Sequence, residues 1–123
     1  ASAVARSFAL ERRPGFSPSR RGIKRMAGAS HAELAALVAS DGRYGNIVCR
    51  CETVSEAEIV EAVRRGARSV DGVKKRLGVG MGRCQGGFCE SRVVGILARE
   101  LGIPVSRVEK TARGGFVLAK EGV

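Results

Sequence analysis

Every cysteine of this 123-residue chain falls in one of two short segments, "VCRCET" at Val48 to Thr53 and "GRCQGGFCES" at Gly82 to Ser91. The arrangement is Cys49-x-Cys51, 32 intervening residues, then Cys84-x4-Cys89. Any fold must account for four thiols so placed. Buried cysteines acting as small apolar groups are one account, but each has charged or glycine neighbours (Arg50, Glu52, Arg83, Gly87) and stands apart from the apolar stripes. Disulfides within a pair are another, yet residues two apart match bridge geometry poorly and nothing in the sequence signals secretion, which leaves cross-pairing between the segments open. Metal binding is the third. Four thiolates are a full ligand set for tetrahedral zinc or for an iron-sulfur cluster. Zinc modules space each pair by two to four residues, which Cys84 and Cys89 just allow and Cys49 and Cys51 do not.

A cluster with two irons tolerates uneven pairs, one pair to each iron, and the surroundings favour it. Two ferric ions, two sulfides and four thiolates sum to about −2, so the site needs hydrogen-bond donors and positive charge. The glycine loop (Gly78, Gly80, Gly82, Gly86, Gly87), the helix starts expected after Cys51 and Cys89, and the cations Arg50 and Arg83 supply both. The same loop, "GVGMGR", is no nucleotide motif: position 83 is Arg where G-x-G-x-x-G needs glycine, and no predicted strand precedes it.

The rest of the chain offers little bulk for a core, with 17 glycines and one tyrosine, so burial alone is not expected to hold it together. The net charge is +10, of which residues 1 to 28 carry +6 through Arg6, Arg12, Arg13, Arg20, Arg21, Lys24 and Arg25 against Glu11. No stacking aromatics alternate with these cations, so a solvated or partner-facing segment is the reading and nucleic acid is not an expected partner. No apolar run is long enough to span a membrane. His31, the sole histidine, has no nucleophile near it in sequence and is assigned to the surface or to a cap.

Along the chain, "SAVARSFALERR" reads as a helix ended by "PGFSPSRRG". Ser30 with Glu33 and Ser55 with Glu58 form capping-box patterns before two further helices, the first carrying Leu34, Leu37 and Val38 on one face, the second Ile59, Val60 and Val63. "SVDGVKKRLG" from Ser69 predicts a short helix, and "ESRVVGILARELG" a longer one stopped by Gly102. Ser106 is placed as the cap of a last short helix, and "GGFVLAKEGV" as an extended or frayed tail. The expected class is all-α.

The combination "VCRCETVSEAEIVEAVRRG" and "DGVKKRLGVGMGRCQGGFC" resembles the 2Fe-2S domain named after bacterioferritin-associated ferredoxin, above all the version at the C-terminus of FAD-dependent oxidoreductases such as the anaerobic type of glycerol-3-phosphate dehydrogenase. The resemblance is strongest from about Tyr44 to Val108. It implies a helix-turn-helix-like fold whose irregular loops hold one cluster on Cys49, Cys51, Cys84 and Cys89. Free-standing members have C-x-x-C as their second pair, and the x4 spacing here is the flavoenzyme variant. Many relatives carry Thr-Arg at the positions of Leu77 and Gly78, so the surroundings of the cluster differ here.

"ASAVARSFALERRPGFSPSRRGI" in turn looks like the end of such a flavoenzyme, with Phe16, Pro18 and Arg20 in its connector. The implied organisation is residues 1–43 as the end of the flavoprotein domain and linker, 44–112 as the cluster domain and 113–123 as a tail. The resemblance further implies FAD in a preceding part of the parent protein and no complete active site in this chain. Its partners would be that flavoprotein domain and an electron acceptor protein or quinone-linked subunit, and its location cytoplasmic, peripheral to the inner membrane through a partner. The alternatives are a zinc-stabilised protein- or nucleic-acid-interaction module, the same 2Fe-2S domain from another FAD-dependent oxidoreductase, and a regulatory domain whose cluster senses redox state or stabilises the flavoenzyme.

Overall fold

The computed structural model describes residues 21–111 and 114–118, together with Pro14, Gly15, Ser17 and Ser19. The helix expected over "SAVARSFALERR", most of the connector and residues 119–123 lie outside the described residues.

Both capping boxes form. Ser30 accepts from the Glu33 N–H and opens helix α1 (His31–Ser40), and Ser55 accepts from the Glu58 N–H and opens α2 (Glu56–Arg64). Helix α3 (Val70–Leu77) starts at the Ser69 cap and ends at Gly78, whose left-handed backbone (φ 77°) costs a glycine little. Helix α4 (Glu90–Leu101) ends in the same way at Gly102. His31 is exposed at the first position of α1.

The all-α expectation needs correcting at the first cysteine pair. Ile47–Cys49 (β1) and Val54–Ser55 (β2) pair antiparallel, Ile47 opposite Ser55 and Cys49 opposite Val54, with a bulge between. A left-handed Thr53 (φ 49°) closes the turn that carries Cys51. The apolar run Ile47-Val48 and the β-branched Val54 favour extended backbone here. Cys51 therefore sits in a hairpin turn, not at the start of a helix.

α2, α3 and α4 enclose the main core. Ile59, Val60 and Val63 meet Val70, Val73 and Leu77 and, from α4, Val93, Ile96 and Leu97, closed off by Val48, Val54, Val79 and Val108. No aromatic side chain is buried in it among the described residues, as the composition implied. A smaller cluster of Met26, Tyr44 and Ala57 takes Leu34 and Leu37 from α1, while Val38, expected on the same face, is exposed. The last short helix is a 3-10 turn, Val105–Arg107, that begins at Pro104 and not at a Ser106 cap. The described part of the expected tail takes the extended form: Glu109 bridges Ser69 in parallel and Phe116 antiparallel, and the Val117 N–H donates to the Val108 carbonyl.

One carboxylate holds the preceding segment to this core. Glu58 is 0 % exposed, and its Oε2 accepts from the N–H and hydroxyl of Ser55, both at 2.7 Å. Its Oε1 accepts from Arg25 Nε at 2.9 Å and from the Met26 N–H at 3.3 Å. Arg25 also donates to the Leu77 carbonyl at 2.8 Å, so the guanidinium joins α2 to the end of α3. Removing the buried acceptor leaves four donors short of a partner, whereas removing the half-exposed arginine leaves Glu58 still bonded to Ser55. Glu58→Ala is expected to cost about 3 kcal/mol and Arg25→Ala about 1 kcal/mol in urea unfolding. The reverse order of midpoints would show that Glu58 is not the hub.

Candidate metal centre

The two cysteine loops are brought together by α4. Cys89 is the residue from which α4 starts, and one turn on, Arg92 reaches across to donate to the Ile47 carbonyl (2.8 Å) and to Asn46 Oδ1 (2.6 Å). Arg99, further along the same helix, pairs with Glu56 at 2.6 Å, and Asn46 donates to Glu56 as well. These contacts clamp the hairpin bearing Cys49 and Cys51 against the helix whose first residue follows Cys89.

The second loop is a succession of turns from Arg83 to Cys89. Gln85, with left-handed backbone (φ 48°), folds its amide back onto the Met81 and Gly82 carbonyls. Gly82 passes so close to the first loop that a Cβ there would lie 2.2 Å from Cys51 Cβ and 3.2 Å from its Sγ. No side chain fits, and this is the position where glycine is required for the loops to meet. Glu52 carboxylate oxygens lie on the outer side of the same contact, near Gly78 and Gly82.

All four predicted cysteines line one cavity of about 480 Å³, with Val48, Phe88 and the three arginines Arg50, Arg83 and Arg92. No carboxylate lines it among the described residues. Arg50 and Arg83 are where the sequence placed cations, and Arg92 is an addition that sequence reasoning missed, because only the fold carries it to the hairpin 45 residues away. Phe88, 85 % exposed beside the thiols, was also missed; its signal was an aromatic residue in a glycine loop.

The thiols divide into two pairs. Cys51 Sγ and Cys84 Sγ are 3.9 Å apart at the outer side, Cys51 exposed and Cys84 half-buried. Cys49 and Cys89 are side by side at the inner side, 1 % and 2 % exposed. Among the described residues, no three His, Cys, Asp or Glu side chains converge closely enough to hold a single metal ion.

The environments of the two sides differ in sign. Backbone N–H groups of Phe88 and Gly86 point at Cys84 and, with the neighbouring Cys51, hold its thiol below the ordinary range. Burial, followed by the neighbouring Cys49 and then Cys84, pushes Cys89 up to about 11. Of the glycines proposed as donors, Gly86 acts as one, whereas Gly78 ends α3 and Gly82 provides room.

In the metal-free chain, then, the Cys84 thiol ionises more readily than the Cys89 thiol. Iodoacetamide at pH 7 is expected to alkylate Cys84 at least about tenfold faster than Cys89, read by mass spectrometry. Cys89 keeps a proton in the folded chain that the unfolded chain releases, so stability is expected to fall as pH rises from about 9 to about 11. Equal alkylation rates, or a stability that stays flat across that range, would contradict these assignments.

Residues 47–99 match the family described as the BFD-like [2Fe-2S] binding domain. Over 111 residues the chain is 50% identical to "Glycerol 3-phosphate dehydrogenase" of Caloramator mitchellensis, covering 89% of this chain and 23% of that protein. It is 34% identical over 104 residues to "Hydrogen cyanide synthase subunit HcnB" of Pseudomonas aeruginosa, covering 74% of this chain and 21% of that one. It is 40% identical over 62 residues to one subunit of the anaerobic glycerol-3-phosphate dehydrogenase of Escherichia coli, covering 49% of this chain and 11% of that one. The chain thus spans less than a quarter of the length of these relatives. No solved structure is significantly similar to it.

Proposed function

Because residues 47–99 belong to the BFD-like 2Fe-2S binding domain family, we propose that this chain is the electron-transfer module of an FAD-dependent glycerol-3-phosphate dehydrogenase. In this reading Cys49, Cys51, Cys84 and Cys89 are the ligands of a 2Fe-2S cluster. The observation that carries it is the grouping of four thiols as two pairs on one cavity, with three cations and two N–H donors around them. A single zinc ion needs four donors around one point, whereas the thiols here stand as two pairs, Cys51 with Cys84 at 3.9 Å and Cys49 with Cys89. The donor set therefore fits a dinuclear group better than a mononuclear one.

When bound, the cluster supplies reversible one-electron transfer, which lets a two-electron flavin donor be drained in single steps. The residues of the chain do the rest. Arg50, Arg83 and Arg92 offset the net negative charge of the thiolate-bound group, and the Gly86 and Phe88 N–H groups lower the Cys84 thiol and so favour its charged form. The inner thiols, surrounded by apolar core, keep water from half of the site.

The degree of likeness supports the choice of parent enzyme. The identity is 50% over 111 residues to the glycerol-3-phosphate dehydrogenase, against 34% over 104 to the hydrogen cyanide synthase subunit and 39% over 54 to the opine oxidase subunit, which favours the first. The proposed organisation has residues 1–43 linking to a flavoprotein domain that holds FAD, residues 44–112 as the module and 113–123 as its tail. The proposed partners are that domain and either a quinone-linked subunit or an acceptor protein, at the cytoplasmic side of a membrane reached through the partner. Among the described residues no helix is long and apolar enough to cross a membrane.

Anaerobic purification with iron, acid-labile sulfide and zinc analysis is the test. About two irons and two sulfides per chain are expected, with a brown colour and an EPR signal on one-electron reduction. Stoichiometric zinc without sulfide, even after anaerobic reconstitution, would sink the proposal. In the full-length enzyme, Cys84→Ser is expected to leave flavin reduction by substrate intact and to stop electron delivery to the acceptor. Unchanged delivery from a cluster-free variant would assign the module a regulatory role.

A further inference from the structure

Sequence spacing groups Cys49 with Cys51 and Cys84 with Cys89, but the fold groups them otherwise. Cys51 and Cys84 approach to 3.9 Å across the two loops, held there by the Gly82 backbone lying against Cys51. Cys49, the last residue of β1, faces Cys89, the residue from which α4 starts, and Arg92 fixes the distance between those two elements. Burial divides the thiols along the same line, Cys49 and Cys89 at 1 % and 2 % exposure against the exposed Cys51 and half-buried Cys84. Proximity and burial are separate observations, and both cut across the loops.

Two thiolates sharing a tetrahedral iron must lie at an edge of one tetrahedron, and with Fe–S bonds of about 2.3 Å that edge is a little under 4 Å. Thiolates on different irons of a 2Fe-2S unit are separated by the bridging sulfides and lie farther apart. The Cys51 to Cys84 distance fits the first case. From this we propose that each iron takes one thiolate from each loop: Cys51 and Cys84 hold an outer iron, and Cys49 and Cys89 an inner one.

The inference rests on the proposed cluster, and it gives each iron–thiolate set the role of a cross-link between hairpin and glycine loop. If instead each loop held its own iron, the sulfide bridges alone would join the loops. The outer set is the one that faces solvent, beside Phe88 and Arg83.

The test is proton NMR of the cluster-loaded chain after one-electron reduction. In that state the β-protons of cysteines on the ferric and ferrous irons show opposite temperature dependence, so the four ligands fall into two sets of two. Cys51 is identified by nuclear Overhauser contact with the Gly82 α-protons, and the others by contacts with their own neighbours. The expected sets are Cys51 with Cys84 and Cys49 with Cys89. As a second readout, single Cys→Ser variants that retain the cluster are compared by EPR, and those of one set are expected to resemble each other. Sets of Cys49 with Cys51 and Cys84 with Cys89, or of Cys49 with Cys84 and Cys51 with Cys89, would overturn the pairing and leave the proposed function standing. Absence of iron and sulfide at the loading step would overturn the proposed function itself and the pairing with it.

Discussion

The close passage of Gly82 against Cys51 is the constraint on which the rest of this structure depends. Two loops separated by 32 residues have to bring their sulfurs within a few ångströms. The helices between them supply the force. α2 and α3 fold back on one another through Ile59, Val63, Val73 and Leu77, and α4 closes the same core, so its first turn arrives beside the hairpin. Hydrophobic burial in a core that takes in Cys49 and Cys89 themselves thus sets the thiol positions, and the outer parts of the loops need only avoid obstruction. That is why a glycine, and not an apolar contact, stands where they meet.

Electrostatics then has to tolerate what packing has assembled. Burial, and then the neighbouring Cys49 and Cys84, oppose ionisation of Cys89 and raise its thiol. The outer side answers with directed N–H groups from Gly86 and Phe88, the rim with Arg50 and Arg83, and the hairpin with Arg92, whose guanidinium bonds to neutral oxygens only. Arg92 therefore brings a cation without the carboxylate that would cancel it. The other helix-α4 arginine, Arg99, is spent on Glu56 and Glu100 and serves as a structural tie. Position along one helix separates the two functions.

Much of this was legible in the sequence wherever the determining chemistry is local. The capping boxes at Ser30 and Ser55, the short helix from Ser69 and the stop at Gly102 all follow from residues within a few positions of one another. The hairpin escaped because strands of three and two residues are too short to show a period of two. Ser106 misled because the preceding Pro104 already has the extended backbone of a cap and starts the turn itself. Arg92 and the partnership of Cys51 with Cys84 were out of reach for a different reason: each joins residues more than 30 apart, and spacing reports only neighbours along the chain.

Glu58 connects these two kinds of information. Its place in a capping box is local and readable, yet its second oxygen reaches back 33 and 32 residues to Arg25 and Met26. A capping carboxylate at a helix start is usually solvated and contributes modestly. Here it is buried because the segment before α1 lies over it, and a buried carboxylate must have its acceptor sites filled. The segment is consequently held at α2 and, through the Leu77 carbonyl, at the end of α3, one residue before the glycine loop begins. Chain entering the domain is fixed to the same two helices that set the spacing of the thiols.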